Sequence, residues 1–189
     1  MKPWSPEQLG AWLDAIGGER LYPLFHLAAF TGMRRGELCG LSWDDVDLDA
    51  GLVTIAWQIT DLNYRKARAA EKQSKPLPYR VRPKTVDGED RTIDVDVATI
   101  AVLRAWRRQQ VKERLALGRA YRDTDNLAFT REDGSPLDPQ LAYTTFKRLT
   151  RRMGLPEVPL HHLRHGAASL HIEAGVDIAV ISKRLGTPG

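Results

Sequence analysis

Strand-forming sequence is concentrated in the middle of this chain, and that concentration limits the fold more than any other feature. The run Leu52-Val53-Thr54-Ile55-Ala56-Trp57 follows an acidic turn from Asp47 to Gly51, is rich in β-branched residues and reads as a strand. Two further short strands are expected at residues 80–85 and 91–95, joined by the turn-forming pair Asp87-Gly88. Outside this region helical punctuation dominates. The expected fold class is mainly α with a small antiparallel β-sheet (α+β).

The helical reading rests on caps and spacing. Ser5-Pro6-Glu7-Gln8 opens a helix, with Ser5 as N-cap, Pro6 at the first helical position and Gln8 closing a capping box. Leu9, Trp12, Leu13 and Ile16 then recur at i, i+3, i+4 and i+7, and Gly17-Gly18 ends the segment. A second apolar helix is expected at residues 20–30, broken at Thr31-Gly32. A short third helix follows from near Met33 to Gly40, with Arg34 in its first turn. Residues 60–78 are basic, polar and aperiodic and read as a loop. Asp96 caps a long helix carrying Ile100, Leu103 and Trp106 on one face and Arg104, Arg107 and Arg108 on another, with Gly118 as its stop. Residues 125–139 are turn-rich, with a short strand at Leu127-Ala128-Phe129. Further helices are expected at 139–153, 160–174 and 177–185.

At 189 residues the chain is read as one domain. No stretch is long or apolar enough to span a bilayer, and Met1-Lys2-Pro3-Trp4 leads into a helix start instead of an apolar leader segment. The single cysteine, Cys39, excludes an intrachain disulfide and fits a cytoplasmic location. The 28 basic residues comprise 20 Arg and 8 Lys, and Arg is the residue suited to two-pronged phosphate contact. They are unevenly spread. Residues 65–84 hold eight basic side chains against Glu71, and residues 104–122 hold seven against Glu113, while Asp44, Asp45, Asp47 and Asp49 gather elsewhere. Such segregation is expected when one face tracks a polyanion.

Three sites carry chemistry. His161 and Arg164, three positions apart on an expected helix, form a paired grip for a phosphate. Arg34 adds a second guanidinium and Lys84, on the expected hairpin, an ammonium. Together these groups suffice to hold and cleave a phosphodiester without a metal.

In their order and spacing these residues resemble the tyrosine recombinases, or phage-type integrases, in their catalytic domain. Thr31-Gly32-Met33-Arg34-Arg35-Gly36-Glu37-Leu38 is similar to the first motif of that family, with Arg34 at its catalytic arginine and Glu37 at its supporting acid. Pro83-Lys84-Thr85, followed by Arg91-Thr92-Ile93, resembles the hairpin that carries the catalytic lysine. His161-His162-Leu163-Arg164-His165, Ala174-Gly175-Val176-Asp177 and Leu185-Gly186 resemble the second motif. The likeness runs from about Ser5 to Gly186.

What the resemblance implies is attack on duplex DNA by a tyrosine, leaving a 3′-phosphotyrosine that is later rejoined. Arg34 and Arg164 would clamp the non-bridging oxygens, His161 would position the phosphate or assist proton transfer, and Lys84 would protonate the departing 5′ oxygen. Glu37 and His165 would support them. No metal and no other cofactor is implied. The implied partners are double-stranded DNA and further recombinase protomers assembled on it, with no membrane.

The chain departs from the family pattern in two places. Leu185-Gly186 is followed by Thr187 where the family usually has His, and none of Tyr22, Tyr64, Tyr79, Tyr121 and Tyr143 lies where the nucleophile normally does. The sequence is therefore expected to be one catalytic domain over residues 1–189, truncated at its C-terminus and without the N-terminal DNA-binding domain. As written it is expected to be a monomer in solution and to bind DNA without forming the covalent link. The alternative function is a non-catalytic DNA-binding remnant or a regulator of recombination.

Plainer readings apply to the other residues. Arg34 and Glu37 could simply pair on a helix surface, and Lys72 and Lys75 compete with Lys84. His161 and His165 stand at zinc-ligand spacing, but His162 occupies the place of the Glu a zinc protease needs, so no metal is assigned. Arg104, Arg107, Arg108, Arg148, Arg151 and Arg152 read as solvated faces. Trp12, Trp43, Trp57 and Trp106 read as core or core-edge aromatics.

Overall fold

A computed structural model describes residues 4–74, 77–83, 91–122, 125–160 and 162–163. Helices α1 (Pro6–Ala15), α2 (Tyr22–Thr31) and α3 (Arg35–Gly40) lead into β1 (Val46–Asp47) and β2 (Leu52–Ile55). Helix α4 (Asp61–Lys72), strand β3 (Arg91–Asp94) and helices α5 (Val97–Leu117) and α6 (Pro139–Arg152) follow. The architecture is mainly helical with a small antiparallel sheet, as the sequence leads one to expect.

The caps act as read. Ser5 accepts from the Gln8 amide while Gln8 accepts from the Ser5 amide, and Asp96 accepts from the Thr99 amide at 2.8 Å. Each bond satisfies a donor that an isolated helix end would leave open. α1, α2 and α6 meet around one aromatic cluster. The Trp12 ring lies 5.5 Å from Phe25 and 5.2 Å from Phe146, both edge-on, which is the arrangement aromatic quadrupoles favour. Trp4 closes the cluster, its Nε1 donating to the Pro156 carbonyl at 3.0 Å. On the other side α2 packs against α5, where Leu103 and Trp106 are buried. No helix among the described residues is long and apolar enough to cross a membrane.

The sheet runs β1-β2-β3, antiparallel throughout, with Val46 opposite Val53 and Ile55 opposite Arg91. Its third strand differs from the one expected. Residues 46–47 fill that place by folding back across the acidic turn, whereas the described part of 80–85 contributes only a bridge between Val81 and Gln58. Lys84 and the turn at Asp87-Gly88 lie outside the described residues. Leu127 likewise makes a single bridge, to Ser42, instead of starting a strand.

The expected loop at 60–78 is in fact mostly helix α4. Thr60 caps it by accepting from the Asn63 amide at 3.1 Å, and its Arg, Lys, Ala and Glu residues have high intrinsic helix propensity. Only Tyr64 and Ala67 are buried from it, so the apolar stripe is too narrow to register as periodicity. The charge segregation read from the sequence is also softened in space. Arg104 pairs with Asp49 at 2.6 Å, Arg122 with Glu71 at 2.8 Å and Arg152 with Glu19 at 2.7 Å. These exposed pairs bring acids in among the basic runs and contribute little stability each. The last two expected helices lie outside the described residues, apart from Leu160, His162 and Leu163.

Candidate functional site

The turn between α2 and α3 is built before it is charged. The Thr31 hydroxyl donates to the Leu27 carbonyl at 2.5 Å and accepts from the Met33 amide at 3.3 Å, and the backbone turns left-handed at Gly32. The chain is then extended through Arg34, which caps α3 from outside its first turn. Glu37 reaches back and accepts from the Arg34 amide at 2.7 Å. An acid at this position also sits where the helix dipole favours negative charge.

Two glycines let α3 lie against the chain leaving β2. The Ile59 amide donates to the Gly36 carbonyl at 2.8 Å. A Cβ on Gly36 would stand 2.9 Å from the Ile59 carbonyl oxygen, and one on Gly40 would stand 2.6 Å from the Gln58 Cα. Backbone fills the space on that side, so a larger residue at Gly40 would have to push the segment away.

This close approach puts Glu37 against the sheet, where it meets Arg91. The Glu37 side chain is 1% exposed and that of Arg91 6%. Oε1 of Glu37 accepts from Nη1 of Arg34 at 2.9 Å and from Nη1 of Arg91 at 3.0 Å. Oε2 accepts from the Arg34 amide at 2.7 Å and from Nη2 of Arg91 at 2.8 Å. Each oxygen thus receives one bond from each arginine. Burial pushes the Glu37 carboxyl up, but the Arg91 hydrogen bonds and charge, with the Arg34 amide and guanidinium, outweigh it and hold the group below the usual carboxylate range. The Arg34 side chain itself is 41% exposed. One end of its guanidinium is anchored to a buried carboxylate while the side chain opens to solvent, which is the geometry for receiving an anion from outside.

More cations surround this box. Arg35 pairs with Asp61 at 2.6 Å, and its guanidinium lies 5.6 Å from the centre of the Tyr143 ring on α6, which Lys147 also faces at 5.9 Å. Past β2, Arg80 and Arg82 stack on the half-buried Trp57 at 5.0 and 4.5 Å. Trp57 is therefore a cation-bearing core-edge aromatic, while Trp12, Trp43 and Trp106 are buried.

Of the residues singled out from sequence, the structure brings together Arg34 and Glu37, and the helix-surface pairing considered for them forms with its acid end buried. Lys84, His161, Arg164 and His165 lie outside the described residues; His162 is half-buried beside the buried Leu163. Arg91 was legible only as part of a strand. A signal for it did exist: β3 alternates buried and exposed, so Arg91 shares the inward face with Ile93, and a charge at an inward position requires a partner.

Comparisons with known proteins identify the family and the fold. Residues 6–187 match the model of the phage integrase family. The chain is 30% identical over 188 residues to a tyrosine recombinase XerC-like protein of Caldanaerobacter subterraneus subsp. tengcongensis, covering 98% of this chain and 47% of that protein. It is 24% identical to the ICEBs1 integrase of Bacillus subtilis, again over 98% of this chain and 47% of the relative. The chain therefore spans about half the length of the curated relatives it matches. Among solved structures, XerA recombinase superposes with a TM-score of 0.73 at 21% identity, covering 100% of this chain and 57% of that one. The Tn1549 transposon integrase in complex with a circular intermediate DNA gives 0.76 at 20% identity, covering 100% and 58%. At such identities the likeness speaks for the fold, which is that of the recombinase catalytic domain. The chain belongs to the phage integrase family of tyrosine recombinases, within the catalytic-domain part of that family.

Proposed function

We propose that this chain is a single catalytic domain of a site-specific DNA recombinase. It binds duplex DNA, and as part of a recombinase assembly its residues serve cleavage and rejoining through a 3′-phosphotyrosine. The observation that carries the reading is the Arg34 side chain, anchored to the buried Glu37 and open to solvent at the start of α3. Such a guanidinium is already oriented when a phosphate arrives, so little reorganisation is needed as charge builds on the phosphorus. The wider assignment follows the family pattern: Arg164 as the second clamp, His161 for positioning or proton transfer, Lys84 as donor to the 5′ leaving oxygen and His165 in support. No metal is needed for charge neutralisation in this scheme. Similar solved proteins lend support, since the Tn1549 integrase is seen with a circular intermediate DNA and XerH recombinase in pre- and post-cleavage complexes on difH.

The test is equilibrium binding of the chain to labelled duplex DNA over a range of salt, with and without a chelator. The reading expects log affinity to fall linearly with log salt, by about 0.9 per phosphate contact, whether or not the chelator is present. Absence of binding at low salt, or binding abolished by the chelator, would contradict it.

A further inference from the structure

The carboxylate of Glu37 is divided evenly between two arginines, and only one of them opens to solvent. Arg91 lies on β3, inward-facing and 6% exposed, so it is not placed to touch DNA itself. Its charge nevertheless bears on Arg34. A lone Arg34–Glu37 pair would be neutral, and its carboxylate would compete with a phosphate for the same guanidinium. With Arg91 added, both oxygens of the carboxylate are already occupied by a second guanidinium, which weakens the hold of Glu37 on Arg34. The bonds also fix the carboxylate in rotation, because each oxygen accepts from each arginine.

From this geometry we infer that Arg91 is a positioning residue, which holds Glu37 so that the Arg34 guanidinium stays aimed outward and positively charged toward a DNA phosphate. The inference rests on the reading of Arg34 as a phosphate-binding group. A purely structural account of the pair is less economical. A buried ion pair is often no more stabilising than apolar residues of the same volume, and the Glu37 carboxylate spends its remaining two bonds on Arg34.

The experiment is a double-mutant cycle on duplex DNA affinity, using the full chain at one fixed salt concentration. The proteins are wild type, Arg34→Ala, Arg91→Met and the double variant, each checked for folding by circular dichroism and thermal melting. Arg91→Met is expected to weaken binding roughly tenfold, as for loss of a charged hydrogen bond, and to have almost no further effect once Arg34 is absent. Full affinity in folded Arg91→Met, or losses that multiply in the double variant, would overturn the inference. Should Arg91→Met not fold, Arg91→Lys decides. Lysine keeps the charge but lacks the two-pronged fork, so a loss of several-fold that disappears in the Arg34→Ala background is expected, and undiminished affinity would overturn the inference. Unchanged affinity in Arg34→Ala alone would instead remove the phosphate-binding reading on which the inference stands.

Discussion

Glu37 and Arg91 stand 54 positions apart in sequence and meet through two hydrogen bonds of 2.8 and 3.0 Å inside the protein. Removing one partner of a buried pair leaves the other charge uncompensated, at a cost of about 3–5 kcal/mol. Glu37→Leu is therefore expected to destabilise the fold by that order, and Glu37→Gln, which keeps an acceptor, by less. Urea denaturation midpoints at an unchanged slope give the measurement; a Glu37→Leu protein of wild-type stability would mean the pair is dispensable.

Two glycines in helices should respond to the same change with opposite signs. Gly40→Ala places a methyl 2.6 Å from the Gln58 Cα and is expected to cost about 1–3 kcal/mol. In α1, a Cβ on the exposed Gly10 meets nothing within 4 Å, so Gly10→Ala should stabilise by about 0.5–1 kcal/mol through reduced chain entropy. Thermal melts of the two variants are expected to move in opposite directions; a rise for Gly40→Ala would show that the 58–59 segment yields freely.

His26 provides a pH dependence. Its Nδ1 lies 3.1 Å from the Tyr22 hydroxyl and its Nε2 3.1 Å from the Thr99 hydroxyl, joining α2 to α5. Burial lowers its pKa below 6.5, against an opposing pull from Asp96. The folded state thus takes up a proton less readily than the unfolded chain. The stability due to neutral His26 is fully present above the unfolded value and is lost as pH falls through the lower folded value. The stability gap between wild type and His26→Gln should narrow as pH falls below about 6.5, and a gap that stays constant would contradict this.

Cys39 is buried in α3, and that burial pushes its thiol up to about 12, with Arg35 pulling only weakly the other way. Thiolate is the reactive form, so the folded protein should resist iodoacetamide and react after denaturation. Rapid alkylation of the native protein would show that α3 opens readily.

The parts of the fold legible in the sequence are those with local punctuation. Ser5 and Asp96 each accept from an amide in the following turn, and α1 and α5 begin where those caps lie. α4 was not legible, because Tyr64 and Ala67 alone supply its buried face and basic residues cover the rest; Thr60 and the local helix propensity were the available signals. β1 is two residues long, too short for any propensity, and exists because Val46 and Asp47 pair with Val53 and Leu52. At the site, Arg34 and Glu37 could be read from one local motif. Arg91 belongs with them only through the register of β2 and β3, a long-range relation that no local pattern encodes.

The measurement that tests the central claim most directly is the DNA affinity of Arg34→Ala beside that of Arg104→Ala on α5, where the Arg104 guanidinium is paired with Asp49. If Arg34 holds a phosphate, its loss should weaken binding about ten- to a hundredfold, the worth of a charge-assisted hydrogen bond of about 1.5–3 kcal/mol. It should also flatten the salt dependence by about one contact, with Arg104→Ala close to wild type. Equal affinities and equal salt slopes for wild type and Arg34→Ala would contradict the account.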